Sequence, residues 1–391
     1  MRLNGRRIRN GLGAAGLALL LGYALAACLA LSPAEASAQA VRPPENAVTA
    51  APMGQSPRDV DISRYKQTWH EIRRGVVGDV RIPDKREAVL VQATGQVWRS
   101  LRTGPVVTWG AWGLLAVIVL LAVYYVLRGP IKTQRGSSGR LVERFNGFER
   151  FVHWLTAATF VVLAITGLNI LLGRWLFLSK PGEVTIGANF SAAQNFYAQL
   201  THWGKMLHDY AAWGFLIGLT LTFLIWVRQN IPNKYDWIWL KKGGGLFSKN
   251  VHPPAKKFNA GQKLLFWIVV ILGASLSFSG LCLLFPFQIL PWNGTFGALN
   301  ALGAGLPTNL LPVQEMQLSQ LWHAIVALVL IAVILGHIYI GTIGMKGAFD
   351  AMGTGKVDEN WAREHHNLWV EEIERETKEA AAATGRAQPA E

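Results

Sequence analysis

The sequence predicts an all-α integral membrane protein, and three observations carry that reading. Hydrophobic residues make up 51% of the 391-residue chain and charged residues only 16%, against about 25% charge in a soluble domain. Five apolar runs are long enough, at ~1.5 Å per residue, to cross ~30 Å of hydrocarbon. Lys and Arg gather in alternate segments between those runs, the pattern that orients helices in a membrane. Disorder and a fibrous repeat are excluded by the same composition. The net charge of +14 on a soluble chain would suggest nucleic-acid binding. Here the basic residues flank apolar runs, so topology explains them and no nucleic-acid partner is expected. The two cysteines, Cys28 and Cys282, both lie in apolar stretches. They build no iron–sulfur cluster, structural zinc site or disulfide framework.

Taken in order, the chain opens with Arg2, Arg6, Arg7 and Arg9, an apolar run from Gly11 to Leu31, and small residues from Ala34 to Ala40. A basic start, an apolar middle and a small-residue cleavage pattern make a signal peptide, placed at 1–38 with cleavage after Ala38. An uncleaved anchor, or a lipoprotein-type site at Leu25-Ala26-Ala27-Cys28, is the alternative, and in each case the next residues leave the cytoplasm. Residues 39–105 are then an exported segment, polar from 41 to 104, with short secondary structure from about Asp59 and no assigned role. An additional transmembrane helix follows at 106–127, then four spans at 151–172, 206–227, 264–285 and 319–343 within a domain of 128–346. Segment 128–150 carries Arg128, Lys132, Arg135, Arg140, Arg144 and Arg150. Segment 228–263 includes Lys241, Lys242, Lys256 and Lys257, whereas 286–318 has no Lys or Arg at all. The basic segments belong in the cytoplasm. Loop 286–318 is therefore periplasmic, and the charged tail 347–391 is cytoplasmic, a solvated helical end with an Ala-rich terminus. No internal repeat is evident, which speaks against a transporter built from duplicated halves.

Ionisable groups inside a membrane are costly and mark function by default. Four histidines lie in or at the ends of the last four spans: His153, His208, His323 and His337. The remaining five, His70, His202, His252, His365 and His366, fall in polar segments. His323 and His337 are 14 residues apart, almost four helical turns, so they share one helix face about 21 Å apart along the axis. The topology then pairs residues by depth: His153 with His337 near the cytoplasm, His208 with His323 near the periplasm. Two histidines facing each other from different helices can fill both axial positions of a six-coordinate haem iron, which transfers electrons and leaves no open site. With no Cys-x-x-Cys-His in the chain, such haems are non-covalent and b-type. The expected fold is thus a four-helix di-haem bundle with one extra N-terminal span and a signal peptide. A lone helix-end histidine is as often an interfacial hydrogen-bonding residue, and a proton relay is the rival functional reading. That relay needs closer acidic partners than Asp209 alone. Gly167, Gly214, Gly218, Gly273, Gly280 and Gly336 would let helices or a flat macrocycle approach closely.

Several stretches resemble a known family. Glu149-Arg150-Phe151-Val152-His153-Trp154, Leu207-His208, Asn230-Ile231-Pro232, Asn259-Ala260-Gly261-Gln262-Lys263, the pair His323/His337 and His365-His366-Asn367-Leu368-Trp369 are similar to the gamma subunit of respiratory formate dehydrogenase, its cytochrome b membrane anchor. The resemblance covers roughly residues 140–376. Cytochrome b subunits of nickel–iron hydrogenases share the plan but fit these stretches less well. The resemblance implies a bacterial inner-membrane subunit docked to an iron–sulfur beta subunit and a molybdenum- or tungsten-containing alpha subunit that oxidises formate. It further implies that electrons enter at a haem held by His208 and His323 and pass to one held by His153 and His337. They then reach ubiquinone or menaquinone from the quinone pool at Asn259, Ala260, Gly261 and Gln262. Asn259 and Gln262 can donate to a quinone carbonyl and Gly261 leaves its N–H accessible, although Asn259 also reads as an ordinary helix cap. Two departures stand out: the exported segment with its extra span, and Asp209 beside His208, where some relatives carry Pro.

Overall fold

The computed structural model describes residues 93–177, 192–245 and 251–383; the signal peptide, and all of the exported segment before residue 93, lie outside them. Helix α1 (Ala93–Leu101) runs through a π-turn at Arg102–Val106 into α2 (Val107–Arg128). Pro105 sits inside that turn, and because proline lacks an N–H and crowds the preceding turn, the ladder there widens. The membrane-length stretch consequently begins at Val97, earlier than the apolar run alone suggests.

The strand β1 (Leu141–Glu143) precedes α3 (Gly147–Phe177) and α4 (Ala192–Trp226). After the short α5 (Lys234–Lys241) come α6 (Ala260–Leu284), α7 (Trp292–Asn300) and α8 (Pro312–Tyr339). The chain finishes with α9 (Asp350–Gly353), β2 (Lys356–Asp358), α10 (Glu359–His365) and α11 (Asn367–Ala383). Five helical stretches among the described residues are long and apolar enough to cross a membrane: Val97–Arg128, Gly147–Gly173, Asn195–Asn230, Ala260–Leu284 and Pro312–Gly344.

Helices α3 and α4 form the most extensively packed pair. They are antiparallel, with Thr156 against Thr222 at one end and Thr166 against His208 at the other. Small residues permit this approach: a Cβ on Gly218 would lie 2.5 Å from Thr156 Oγ1, and one on Gly214 would lie 2.7 Å from a Thr159 methyl. Helix α6 packs on α8 and α4, and α2 lies outside the four, against α8. Between the two ends the bundle is closed by Phe160, Phe215, Leu219 and Leu330, all buried.

Loop 286–318 is partly helical. Glu315, 1% exposed, accepts from the backbone N–H of Trp292 at 2.9 Å and from Asn293 Nδ2 at 2.7 Å. A carboxylate at a helix N-terminus satisfies its open N–H groups and its dipole, so α7 is pinned to the first turn of α8.

The tail is not the solvated end that its charge suggests. Val357, Trp361, Ala362, Trp369 and Val370 are buried in one cluster with Phe145, Trp226 and Phe266. Strand β2 pairs antiparallel with β1, Val142 opposite Val357. The Gly355 carbonyl accepts from the N–H of Arg144 and of Phe145. Gly355 has φ +86°, and a Cβ there would stand 2.5 Å from the Phe145 carbonyl oxygen, so only glycine fits. Arg150 Nε and Trp154 Nε1 both donate to the Met352 carbonyl. The stretch around His153 thus also anchors the tail.

Candidate functional site

The bundle brings its four intramembrane histidines together as two pairs. His153 on α3 faces His337 on α8, ring centroids 6.3 Å apart and planes at 69°. His208 on α4 faces His323 on α8, also at 6.3 Å, with planes at 65°. The first pair lies at the end where the tail packs, called here the tail end, and the second at the far end. Two metal–imidazole bonds of about 2.0 Å each, with the radius of each ring added, bring facing imidazoles to this separation. No cluster of three or more His, Cys, Asp or Glu among the described residues could hold a bare ion. Two lone imidazoles suit a metal that carries its own equatorial ligands, as haem iron does.

At the far end the rings are oriented by hydroxyls. Thr166 Oγ1 donates to the Val162 carbonyl at 2.7 Å and lies 2.8 Å from His208 Nδ1. Ser279 Oγ donates to the Leu276 carbonyl at 2.9 Å and lies 3.0 Å from His323 Nδ1. Each hydroxyl has one proton, already given to the backbone, so it accepts from Nδ1–H. This network assigns the proton to Nδ1 in both rings and leaves each Nε2 lone pair for a metal. The residue after each hydroxyl is glycine: a Cβ on Gly167 would lie 3.3 Å from His208 Cε1, and one on Gly280 3.2 Å from His323 Cε1. At the tail end, by contrast, His153 Nδ1 is buried without a hydrogen-bond partner. Gly336, beside His337, has nothing within 4 Å of its Cβ position.

A cavity of ≈ 1420 Å³ opens at the tail end, lined by His153, His337, Asn259, Gly261 and Gln262 among others. Ala260 is buried, 4% exposed, and does not line it. Asn259 caps α6: its Oδ1 accepts from Gln262 N at 2.9 Å, and Gln262 Oε1 accepts from Asn259 N at 3.1 Å. The cap occupies the carbonyl oxygens and leaves both amide NH₂ groups as donors. Lys263, next in line, is tied to Asp236 at 2.8 Å and to the Ile231 carbonyl at 3.0 Å. Trp267 Nε1 on α6 donates to the Asn230 carbonyl at 3.0 Å, so the Asn-Ile-Pro turn and the α6 start brace one another. Asp209 pairs with Lys205, one turn away on the same helix.

Several cavity residues are given no site role by the sequence. His365 and His252 face each other at 6.1 Å, and both, with Arg144 and Trp361, line the same cavity. Arg144 signals only a cytoplasmic loop by sequence, and Trp361 sits in a segment of high charge. Gly167 and Gly280 stand out in the sequence as small residues, but only the structure shows that each, with the hydroxyl before it, abuts a histidine.

Comparison with known proteins matches residues 144–355 to the prokaryotic cytochrome b561 family. The nitrate-inducible formate dehydrogenase cytochrome b556(Fdn) subunit of Escherichia coli (strain K12) is 27% identical over 241 residues, covering 61% of this chain and 94% of that protein. The formate dehydrogenase cytochrome b556(fdo) subunit of the same organism is 26% identical over 240 residues, 61% and 97% of the two chains. A formate dehydrogenase cytochrome b556 subunit of Haemophilus influenzae is 24% identical over 225 residues, 57% and 79%.

Proposed function

The chain belongs to the prokaryotic cytochrome b561 family, and from that premise we propose that it is the membrane cytochrome b subunit of a respiratory formate dehydrogenase. In this reading His208 and His323 hold one b haem, His153 and His337 a second, and the Asn259–Gln262 stretch receives a quinone. The observation that carries it is the geometry of the two histidine pairs, each at 6.3 Å on opposite ends of one bundle, with the cavity at the tail end joining one pair to Asn259 and Gln262. Bis-histidine haems supply one-electron transfer without an open coordination site.

The protein's own contribution is placement. Helix α8 sets the two centres about 21 Å apart, and the buried apolar residues Phe160, Phe215, Leu219 and Leu330 lie between them. Asn259 Nδ2 and Gln262 Nε2 are the donors available to a quinone carbonyl. The basic residues at the tail end support a cytoplasmic tail end and a far end outside. There an iron–sulfur subunit and a molybdenum- or tungsten-containing formate-oxidising subunit would deliver electrons near His208 and His323.

The test is a reduced-minus-oxidised spectrum of the purified complex with haem extraction. Two b-type haems per chain are expected, with His208→Ala or His323→Ala removing one and His153→Ala the other. Absence of a b-type band would overturn the reading and favour a proton-coupled transporter. Loss of the same haem in His208→Ala and His153→Ala would overturn the pairing. Asn259→Asp keeps the capping oxygen but loses the NH₂ donor, so α6 stays capped. Losing one hydrogen bond of about 1–1.5 kcal/mol predicts roughly tenfold slower quinone reduction, with both haems still reduced by formate.

A further inference from the structure

Among the described residues, three that line the tail-end cavity each carry a buried nitrogen without a hydrogen-bond partner. Arg144 is 3% exposed; its Nη2 donates to the Lys257 carbonyl at 2.5 Å, but Nη1 has no partner. Trp361, 4% exposed, has an unpartnered Nε1, and His365 an unpartnered Nε2. The three are contiguous: the Arg144 guanidinium carbon is 5.5 Å from the Trp361 ring centre, and the Trp361 and His365 rings are 5.1 Å apart. All three line the cavity that contains His153 and His337.

A buried donor left unpaired costs about 1–3 kcal/mol, and an uncompensated buried charge more. Among the described residues, the two carboxylates whose fields reach Arg144 and His365 are committed elsewhere. Glu149, whose field acts on Arg144, accepts from Lys257 and from Trp226 Nε1. Glu364 accepts from the backbone N–H of Gln134 and Arg135. Burial lowers the Arg144 pKa to about 9, which leaves the guanidinium charged at neutral pH. A fork of donors with a buried positive charge matches a carboxylate.

We propose that Arg144, Trp361 and His365 form a pocket for a carboxylate carried into this cavity, a propionate of the haem held between His153 and His337. The proposal rests on the di-haem reading. It follows from position as well as charge. The pocket lies just beyond the apolar spans, where a macrocycle with its body inside the bundle would turn its polar edge, and it opens on the same space as the axial histidines.

Haem content, resonance Raman spectra and a redox titration of the intact complex test it. If the wild-type protein lacks two haems, the di-haem reading itself fails. Given two haems, Arg144→Gln should shift the propionate bending band. It should also lower the midpoint potential of the tail-end haem, because a positive charge beside the propionate favours the reduced state; the far-end haem stays unmoved. Arg144→Lys should restore most of the potential but not the band, since an ammonium supplies charge without the fork. Trp361→Phe keeps the aromatic volume and should shift the band alone. It carries the decision if Arg144→Gln fails to assemble. An unchanged band and potential in all three variants overturns the proposal. So does a wild-type protein in which added acetate reproduces the effect of Arg144→Gln, for the pocket then takes a free anion.

Discussion

One hydroxyl behind each far-end histidine decides how that imidazole presents itself. A hydrogen bond from Nδ1–H fixes the ring and makes Nε2 a stronger base, which favours the oxidised metal. Thr166 and Ser279 supply these bonds at 2.8 and 3.0 Å. Thr166→Val is isosteric apart from the hydroxyl. It should raise the midpoint potential of the His208/His323 centre in a redox titration, leave the other centre unmoved, and weaken metal-group retention about 10–100-fold. Gly280→Ala puts a methyl 3.2 Å from His323 Cε1. Its expected result is selective loss of the far-end haem, read as half the b-type absorbance. The facing of His153 with His337 and of His208 with His323 was legible in the sequence because successive spans alternate in direction and helix rise sets the position of each histidine along its span. The hydroxyl partners were not, since Thr and Ser in apolar helices ordinarily bond their own backbone, as these two also do.

At the scale of elements, the spans were readable and the tail was not. An apolar run of membrane length has one physical meaning, so the central helices fall where hydropathy puts them. Only their ends move, as at α1 and α2, where the helix continues through polar residues around Pro105. The tail misleads because Glu371, Glu372, Glu374 and Glu376 dominate its composition, while Val357, Trp361, Trp369 and Val370 are spread over a strand and two helices and form no single periodic stripe. Their partners, Phe145 and Trp226, are distant in sequence. Trp369→Ala removes a buried aromatic and should cost about 3–5 kcal/mol, seen as rapid protease cleavage of α11 with the membrane helices intact. Acid should act on the same element. His366 is fully buried with Nδ1 against the Lys256 carbonyl. Burial first, then Arg144 and His365, hold its pKa well below the usual value of 6.5. Its folded pKa is depressed, so its contribution is complete above about 6.5 and fades as pH falls. Tail proteolysis should therefore rise as pH drops below 6.5, less so in His366→Gln.

Across the whole molecule, two sites of different character share one low-dielectric core. Phe160, Phe215 and Leu330 each stand seven residues from a histidine of their own helix, so they form a layer midway between the pairs. Leu330 is fully buried, and Leu330→Ala should cost about 2–5 kcal/mol, a lower melting temperature with both haems retained. In the proposed function, electrons would cross this layer inward and quinone reduction would take its protons from the cytoplasm. Formate oxidation by the intact complex in vesicles should then generate a membrane potential without any pumped ion. Formate-driven quinone turnover with no potential would remove that mechanism.

Helix α8 contributes one member to each histidine pair, and it is the last of the membrane-length helices among the described residues. During synthesis, three of these helices besides α2 can enter the bilayer before either pair has its second ring. No pair can close until Pro312–Tyr339 has been made and inserted, and the buried wall formed by Trp361 and His365 emerges later still. If the pairs hold haems as proposed, cofactor loading would wait until the end of translation, by the order of the gene's codons. Nascent chains arrested before Pro312 should reach the membrane, resist alkaline extraction, and carry no b-type absorbance.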